Sequence, residues 1–219
     1  AVSGHEPKFQ KLGVNLLFTA LLVLVVGSMA GQWFSIHQRM GLNVSFWFGH
    51  QGYEYVDLGR FWQILLLVGL ILWLGLVGRA LIPVLRTRSD SRSLLALFLM
   101  SALAIGSFYG AGLMWGRHTH LAMAEYWRWW VVHLWVEGFF EVFATAVIAF
   151  LFSRMGLVKV TTATSAALFT AAIYLTGGII GTMHHLYFTG TPTAVLAWGA
   201  TFSALEIVPL VLVGYEAYE

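Results

Sequence analysis

Apolar residues run along this chain in long blocks, separated by short hydrophilic stretches. Six blocks lie near Leu12–Phe34, Phe61–Leu85, Ser93–Trp115, Trp127–Phe152, Thr161–Phe188 and Thr193–Tyr215. Each is about 20 residues or longer, the length a helix needs to cross a hydrocarbon core. Their mid-sections are close to uniformly apolar, as in Ile64–Leu72, whereas a membrane β-strand would alternate. The pattern therefore predicts an all-α integral membrane protein of about six transmembrane helices, in which each helix satisfies its own backbone groups. The longest connection is Ser35–Arg60, and no low-complexity linker or clear internal repeat divides the chain. One membrane domain over 1–219 is expected.

Composition narrows the classes further. Of the 219 residues 59% are hydrophobic and 10% charged, with a mean hydropathy of +0.78. A soluble domain carries roughly a quarter charged residues, so an ordinary water-soluble globule and a disordered chain are both excluded. A formal net charge of +2 from scattered basic residues does not suit nucleic acid. The absence of cysteine excludes a disulfide scaffold, a thiolate metal site, a thiol nucleophile and covalent c-type haem on this chain.

The basic residues predict the orientation. Lys8, Lys11, Arg79, Arg86, Arg88, Arg92, Arg154 and Lys159 fall on one side of the predicted spans, and Arg39, Arg60, Arg117 and Arg128 on the other. By the positive-inside rule both ends are cytoplasmic and the 35–60 loop is outside. Tyr126, Trp127, Trp129 and Trp130 suit an interfacial aromatic belt on that outer side. The chain starts at Ala1, and 1–11 lack the apolar core of a signal peptide; a segment of a longer chain is the expectation.

Six ionisable residues inside the spans carry the candidate chemistry: His133, Glu137, Glu141, His184, His185 and Glu206. Such a group in hydrocarbon costs several kcal/mol, so each needs a partner or a water path. On an α-helix His133, Glu137 and Glu141 would share one narrow stripe, each step advancing about 40° around the axis. His133 and Glu137 are then close enough to hold one ion. Glu141, a turn deeper, suits a supporting or proton-carrying role. The stripe could also line a watered cavity.

His184 and His185 are adjacent, so on an α-helix they diverge by about 100°; taken alone, such a pair near a helix end is interfacial. With the predicted topology, however, all three histidines lie at a similar level in the outer part of the membrane. Three imidazoles and one carboxylate can thus meet at one metal, and zinc, copper and non-haem iron are all compatible, the carboxylate tilting the choice toward iron. Gly177, Gly178 and Gly181 would admit a flat group, although ordinary small-residue packing explains them equally. Glu206 is read as sharing a proton or water with Glu141 or Glu137, or as a single protonated carboxyl with a structural hydrogen bond. In the outer loop, His50-Gln-Gly-Tyr-Glu54-Tyr-Val-Asp57 offers Glu54 and Asp57 as oxygen ligands for a cation such as calcium.

The run His133-x-x-x-Glu137-x-x-x-Glu141, then His184-His185 on the next span and Glu206 on the one after, resembles the bacterial nitric-oxide reductases of the haem–copper oxidase superfamily. The stretch FWFGHQGYEYVDLGRFWQ (Phe46–Gln63) is similar to their quinol-dependent type. The resemblance implies part of a haem–copper-oxidase-like helical bundle in the bacterial cytoplasmic (inner) membrane. It implies a non-haem iron held by His133, His184, His185 and Glu137, where copper-containing relatives place a tyrosine one turn after the histidine. Glu137, Glu141 and Glu206 would handle protons, and Glu54 would serve a structural calcium. The implied reaction is 2 NO + 2 e⁻ + 2 H⁺ → N₂O + H₂O, with electrons from quinol through two haems b.

This chain departs from that pattern in having no spare intramembrane histidine for a haem axis. The haem ligands are expected on the remaining helices of the enzyme, and the isolated segment is expected to be inactive. Two rival readings stand beside this one: a copper-containing oxygen reductase of the same superfamily, and a proton or ion transporter built on the buried carboxylates.

Overall fold

The structure is a computed structural model that describes residues 8–52, 57–87, 91–174, 177, 179–187, 191–205, 207–208, 211 and 215; the side chains of Ala122 and Glu137 lie outside that description. It is nearly all helical, with no strand among the described residues. The helices are α1 (Gln10–Ile36), α2 (Leu42–Phe48), α3 (Arg60–Leu85), α4 (Arg92–Phe108), α5 (Leu121–Trp129), α6 (Phe140–Arg154), α7 (Val160–Ile173), α8 (Ile179–Gly181) and α9 (Thr193–Leu205). A 3₁₀ turn, Tyr109–Leu113, extends α4, a π-helical segment, Trp130–Phe139, joins α5 to α6, and a second 3₁₀ turn, Thr182–Leu186, follows α8.

Four helices are long and apolar enough to cross a membrane: Gln10–Ile36, Arg60–Leu85, Arg92–Leu113 and Met123–Arg154. They coincide with the first four expected spans. The fourth helical run starts at Leu121 rather than Trp127, because 121–126 contain no glycine or proline to break it. Among the described residues the fifth expected span contains α7, α8 and the 3₁₀ turn Thr182–Leu186, with Tyr174 and Gly177 in π-helical geometry between α7 and α8. The sixth expected span contains α9, an apolar helix of 13 residues.

Helix ends follow local rules. Gln38 adopts the left-handed conformation (φ 55°) after α1, and the Arg39 N–H reaches back to the Phe34 carbonyl at 2.9 Å. Gly156 (φ 75°) does the same after α6, with the Leu157 N–H on the Phe152 carbonyl at 3.0 Å. Both satisfy carbonyls that the helix itself leaves open.

The chain divides into two compact units, Ala1–Ala80 with Ile105–Val132, and Leu81–Ala104 with His133–Glu219. In the first unit the small residues of α1 make room for the Trp62 side chain of α3 and for the end of α2. A Cβ at Gly27 would run into the Trp62 ring, and one at Gly31 would run into the Phe48 carbonyl. The space those methyls would need is taken by the Trp62 indole, whose Nε1 donates to the Phe48 carbonyl at 2.8 Å. Lipid is as apolar as leucine, so helices in a membrane gain by such close packing more than by leaving solvent.

Arg60 and Gln51 organise the polar end of this unit. Arg60 is buried, and its guanidinium donates to the Gly112 carbonyl at 3.0 Å and to the Trp115 carbonyl. It also lies over the Phe46 and Trp115 rings. The Gln51 amide donates to the Leu58 carbonyl and to the fully buried Gln63, and its oxygen accepts from the Trp115 indole. Asp57 closes the loop: its Oδ1 accepts the Gln51 and Gly52 N–H groups at 2.7 and 2.6 Å.

In the second unit the buried contact sets alanines against a leucine. Leu94, Ala146 and Ala167 are almost completely buried, with Leu97, Phe98, Ala149 and Phe150 packed around them. Ala163, Ala167 and Ala171 line one face of α7 at four-residue spacing, so α7 and α6 pack without bulky side chains between their backbones.

Two outcomes test this packing. Gly27→Ala and Gly31→Ala should each lower the stability of the detergent-solubilised protein by about 1–3 kcal/mol through overpacking. Gly75→Ala, whose Cβ meets nothing within 4 Å, should be neutral or stabilising by up to about 1 kcal/mol; thermal unfolding followed by circular dichroism distinguishes them. Asp57→Ala should reduce the hydrogen-exchange protection of the Gln51 and Gly52 amides by about 1–3 kcal/mol, whereas Asp57→Asn, which keeps a side-chain oxygen, should retain most of it.

Candidate metal centre

Three of the six ionisable residues expected within the spans are brought together. The Nε2 atoms of His184 and His185 are 2.8 Å apart, and His185 Nε2 is 3.1 Å from His133 Nδ1. Across the three rings one nitrogen from each lies within 4.8 Å of the other two. His133 is 2% exposed, and the other two are half-buried. The rings cross rather than stack, with centroids 4.0–5.0 Å apart and interplanar angles of 56–86°.

The backbone departs from α geometry on both sides of this cluster. His133 sits in the π-helical segment Trp130–Phe139, which carries more than four residues per turn. The expectation of a stripe advancing about 40° at each four-residue step assumed an α-helix. In the π segment four residues fall short of a full turn, so the Glu137 position is offset from His133 in the opposite sense while remaining near its face. The His133 carbonyl faces Gly138, five residues on, where a Cβ would be 3.4 Å away. His184 and His185 sit in the 3₁₀ turn, where successive side chains diverge by about 120°. Even so, the two rings fold onto one centre, with their Nε2 atoms adjacent.

The donor chemistry fits a metal ion. An imidazole nitrogen carries either one N–H or one in-plane lone pair, yet His185 Nε2 faces two ring nitrogens at once. It can accept from both or share one N–H between both, and either way the contact is a three-centre hydrogen bond. A cation placed among the three meets all three lone pairs directly. Two nitrogens each about 2.1 Å from an ion stand about 3.0–3.4 Å apart for right-angled to tetrahedral geometry, close to the separations here. Among the described residues this is the group of three or more potential ligands so arranged.

The other candidates do not join this cluster among the described residues. The Glu137 backbone lies in the π segment, but its side chain is outside the described residues, as are Glu206 and Glu54. Glu141 is in the first turn of α6 with its side chain exposed. Asp57, offered with Glu54 as a cation ligand, engages two backbone N–H groups through Oδ1, and His50 Nδ1 stands 3.6 Å from the same oxygen. Gly177 and Gly181 are buried in helix packing; a Cβ on Gly177 would meet the Phe202 ring at 3.1 Å.

Gly199 of α9 is a part of the centre that the pattern of ionisable residues does not mark. It is buried where the helix backbone meets the 3₁₀ turn of the histidine pair. Its signal is an isolated glycine inside an apolar helical run, a position that often has a packing reason.

Comparison with known proteins agrees with the fold. The family model for Cytochrome C and Quinol oxidase polypeptide I matches residues 1–217. The chain is 39% identical over 90 residues to a nitric oxide reductase subunit from Stutzerimonas stutzeri, a match covering 41% of this chain and 19% of that protein.

Proposed function

We propose, from the premise that this chain belongs to the cytochrome c and quinol oxidase polypeptide I family of haem–copper oxidases, that it carries the non-haem iron side of a nitric-oxide-reducing centre. The family makes it part of a membrane oxidoreductase. The observation that carries the narrower reading is the convergence of His133, His184 and His185 on one point. A carboxylate four residues after His133, with no sulfur ligand from cysteine in the chain, favours iron over copper. The partial likeness to the Stutzerimonas stutzeri nitric oxide reductase supports the same choice.

In this reading His133, His184, His185 and Glu137 hold the iron, and the chain forms one membrane domain of a larger bundle whose other helices ligate two haems b. When bound, the iron would supply electrons and stabilise negative charge in the reduction of NO, 2 NO + 2 e⁻ + 2 H⁺ → N₂O + H₂O. The chain's own residues set the conditions for that chemistry. Neutral imidazoles on two different elements of the chain fix the ion's position. The Glu137 carboxylate offsets part of its charge. Glu141 and Glu206 carry the two protons inward. The apolar surroundings admit a small neutral gas and exclude ions, and confinement replaces an unfavourable encounter of two NO molecules by proximity. Quinol is the electron donor, Glu54 supports a structural calcium, and the site faces the outer half of a bacterial inner membrane with both ends of this segment cytoplasmic.

Metal analysis of the full-length protein, purified from membranes, tests the reading. One non-haem iron per chain is expected, with NO consumption at an electrode. Glu137→Gln should weaken iron retention against a chelator by about 10–100-fold, the range seen when a group supporting or completing a metal site is altered. Stoichiometric copper in place of iron would favour an oxygen reductase. No metal, with Glu137→Gln changing only proton movement, would favour a transporter; either result overturns the proposal.

A further inference from the structure

We infer that Gly199 of α9 is a positioning residue for the three-histidine centre. It is the point where the α9 backbone seats against the backbone that carries His184 and His185. This inference rests on the reading of that centre as an iron site.

A Cβ at Gly199 would lie 2.8 Å from the His184 backbone nitrogen, 3.1 Å from the Met183 carbonyl carbon and 3.3 Å from the Met183 Cβ. The two shortest of these contacts are to main-chain atoms, so no change of rotamer relieves them. Either α9 or the turn has to move. The turn is only five residues long, Thr182–Leu186, so His184 and His185 move with it. His133 belongs to a different element, the π segment, and is not displaced by the same contact.

The ligand geometry is sensitive to such a shift. A metal site tolerates displacements of about 0.2 Å in its bond lengths. Relieving a 2.8 Å carbon–nitrogen contact needs several tenths of an ångström. The distance between the paired His184 and His185 nitrogens and His133 Nδ1 would change by a similar amount, because only one side moves.

Other glycines of the same unit provide the comparison. Gly177 packs against α9 as well, but its added Cβ would meet the Phe202 side chain at 3.1 Å, and a ring can turn aside. Gly177 therefore shares the packing role of Gly199 without the contact to ligand-bearing backbone.

The experiment uses the full-length protein purified from membranes, with three readouts: iron retention against a chelator, the number of imidazole ligands from X-ray absorption at the iron edge, and thermal stability. Gly199→Ala is expected to release iron about 10–100-fold more readily and to lose part of the imidazole contribution. Gly177→Ala is expected to keep both, whatever it does to stability. Should Gly199→Ala fail to fold, the double variant Gly199→Ala/Met183→Gly removes the contact to the Met183 Cβ and leaves the two to backbone; it is expected to fold and still to release iron. Wild-type iron retention and an unchanged absorption spectrum in a folded Gly199→Ala or double variant would overturn the inference alone. Equal iron loss in Gly177→Ala would also overturn it, reducing the effect to general packing. Absence of iron from the unmodified protein would overturn the reading of the centre, and this inference with it.

Discussion

Three imidazole nitrogens crowd into a space that three hydrogen-bonding rings could share only through a three-centre bond at His185 Nε2. The backbone on both sides of the cluster departs from the α-helix, with a widened turn at His133 and a tightened one at His184 and His185. A π-helical segment shifts the side chains that follow it relative to those before it. A 3₁₀ turn brings the backbone round faster. Such departures recur at functional sites, and here they lie on both sides of one cluster. The 3₁₀ turn sets adjacent side chains about 120° apart, further than an α-helix would, so it is the rotamers of His184 and His185 that bring their Nε2 atoms together.

Within each unit, helix packing depends on what is missing from the interfaces. Gly27 and Gly31 leave space filled by an indole and a carbonyl. Alanines at every fourth position of α7 let it lie close to α6. Where hydrophobic residues point away from the chain, as along α1, they suit the hydrocarbon and contribute little to holding one helix on another. Small residues thus mark where these helices meet.

Much of this was legible in the sequence, and the reasons differ from element to element. The first four spans were readable because length and uniform hydropathy are linear properties; Arg60–Leu85 matches the predicted Phe61–Leu85 almost to the residue. The convergence of His133 with His184 and His185 followed from depth, since topology alone brought them to one level. The π segment was not readable, because apolar residues on both sides of His133 are compatible with either helical pitch. Nor was the extra turn of helix before Trp127, where the aromatic belt concealed a stretch free of helix breakers. The Arg60 contacts join residues more than fifty positions apart, and no local pattern encodes a guanidinium that finds carbonyls at the end of another helix. Gly199 was present as an apolar-helix glycine, but only the contact to the His184 backbone gives it a meaning.

The setting of Arg60 has an electrical consequence. Its guanidinium is held by carbonyl oxygens and aromatic faces, and dipoles of that kind solvate a cation without cancelling it. A unit charge therefore stays fixed at one end of the first unit, with low-dielectric rings around it in place of mobile counter-ions. Salt in the surrounding medium screens a charge so enclosed far less than one in solvent.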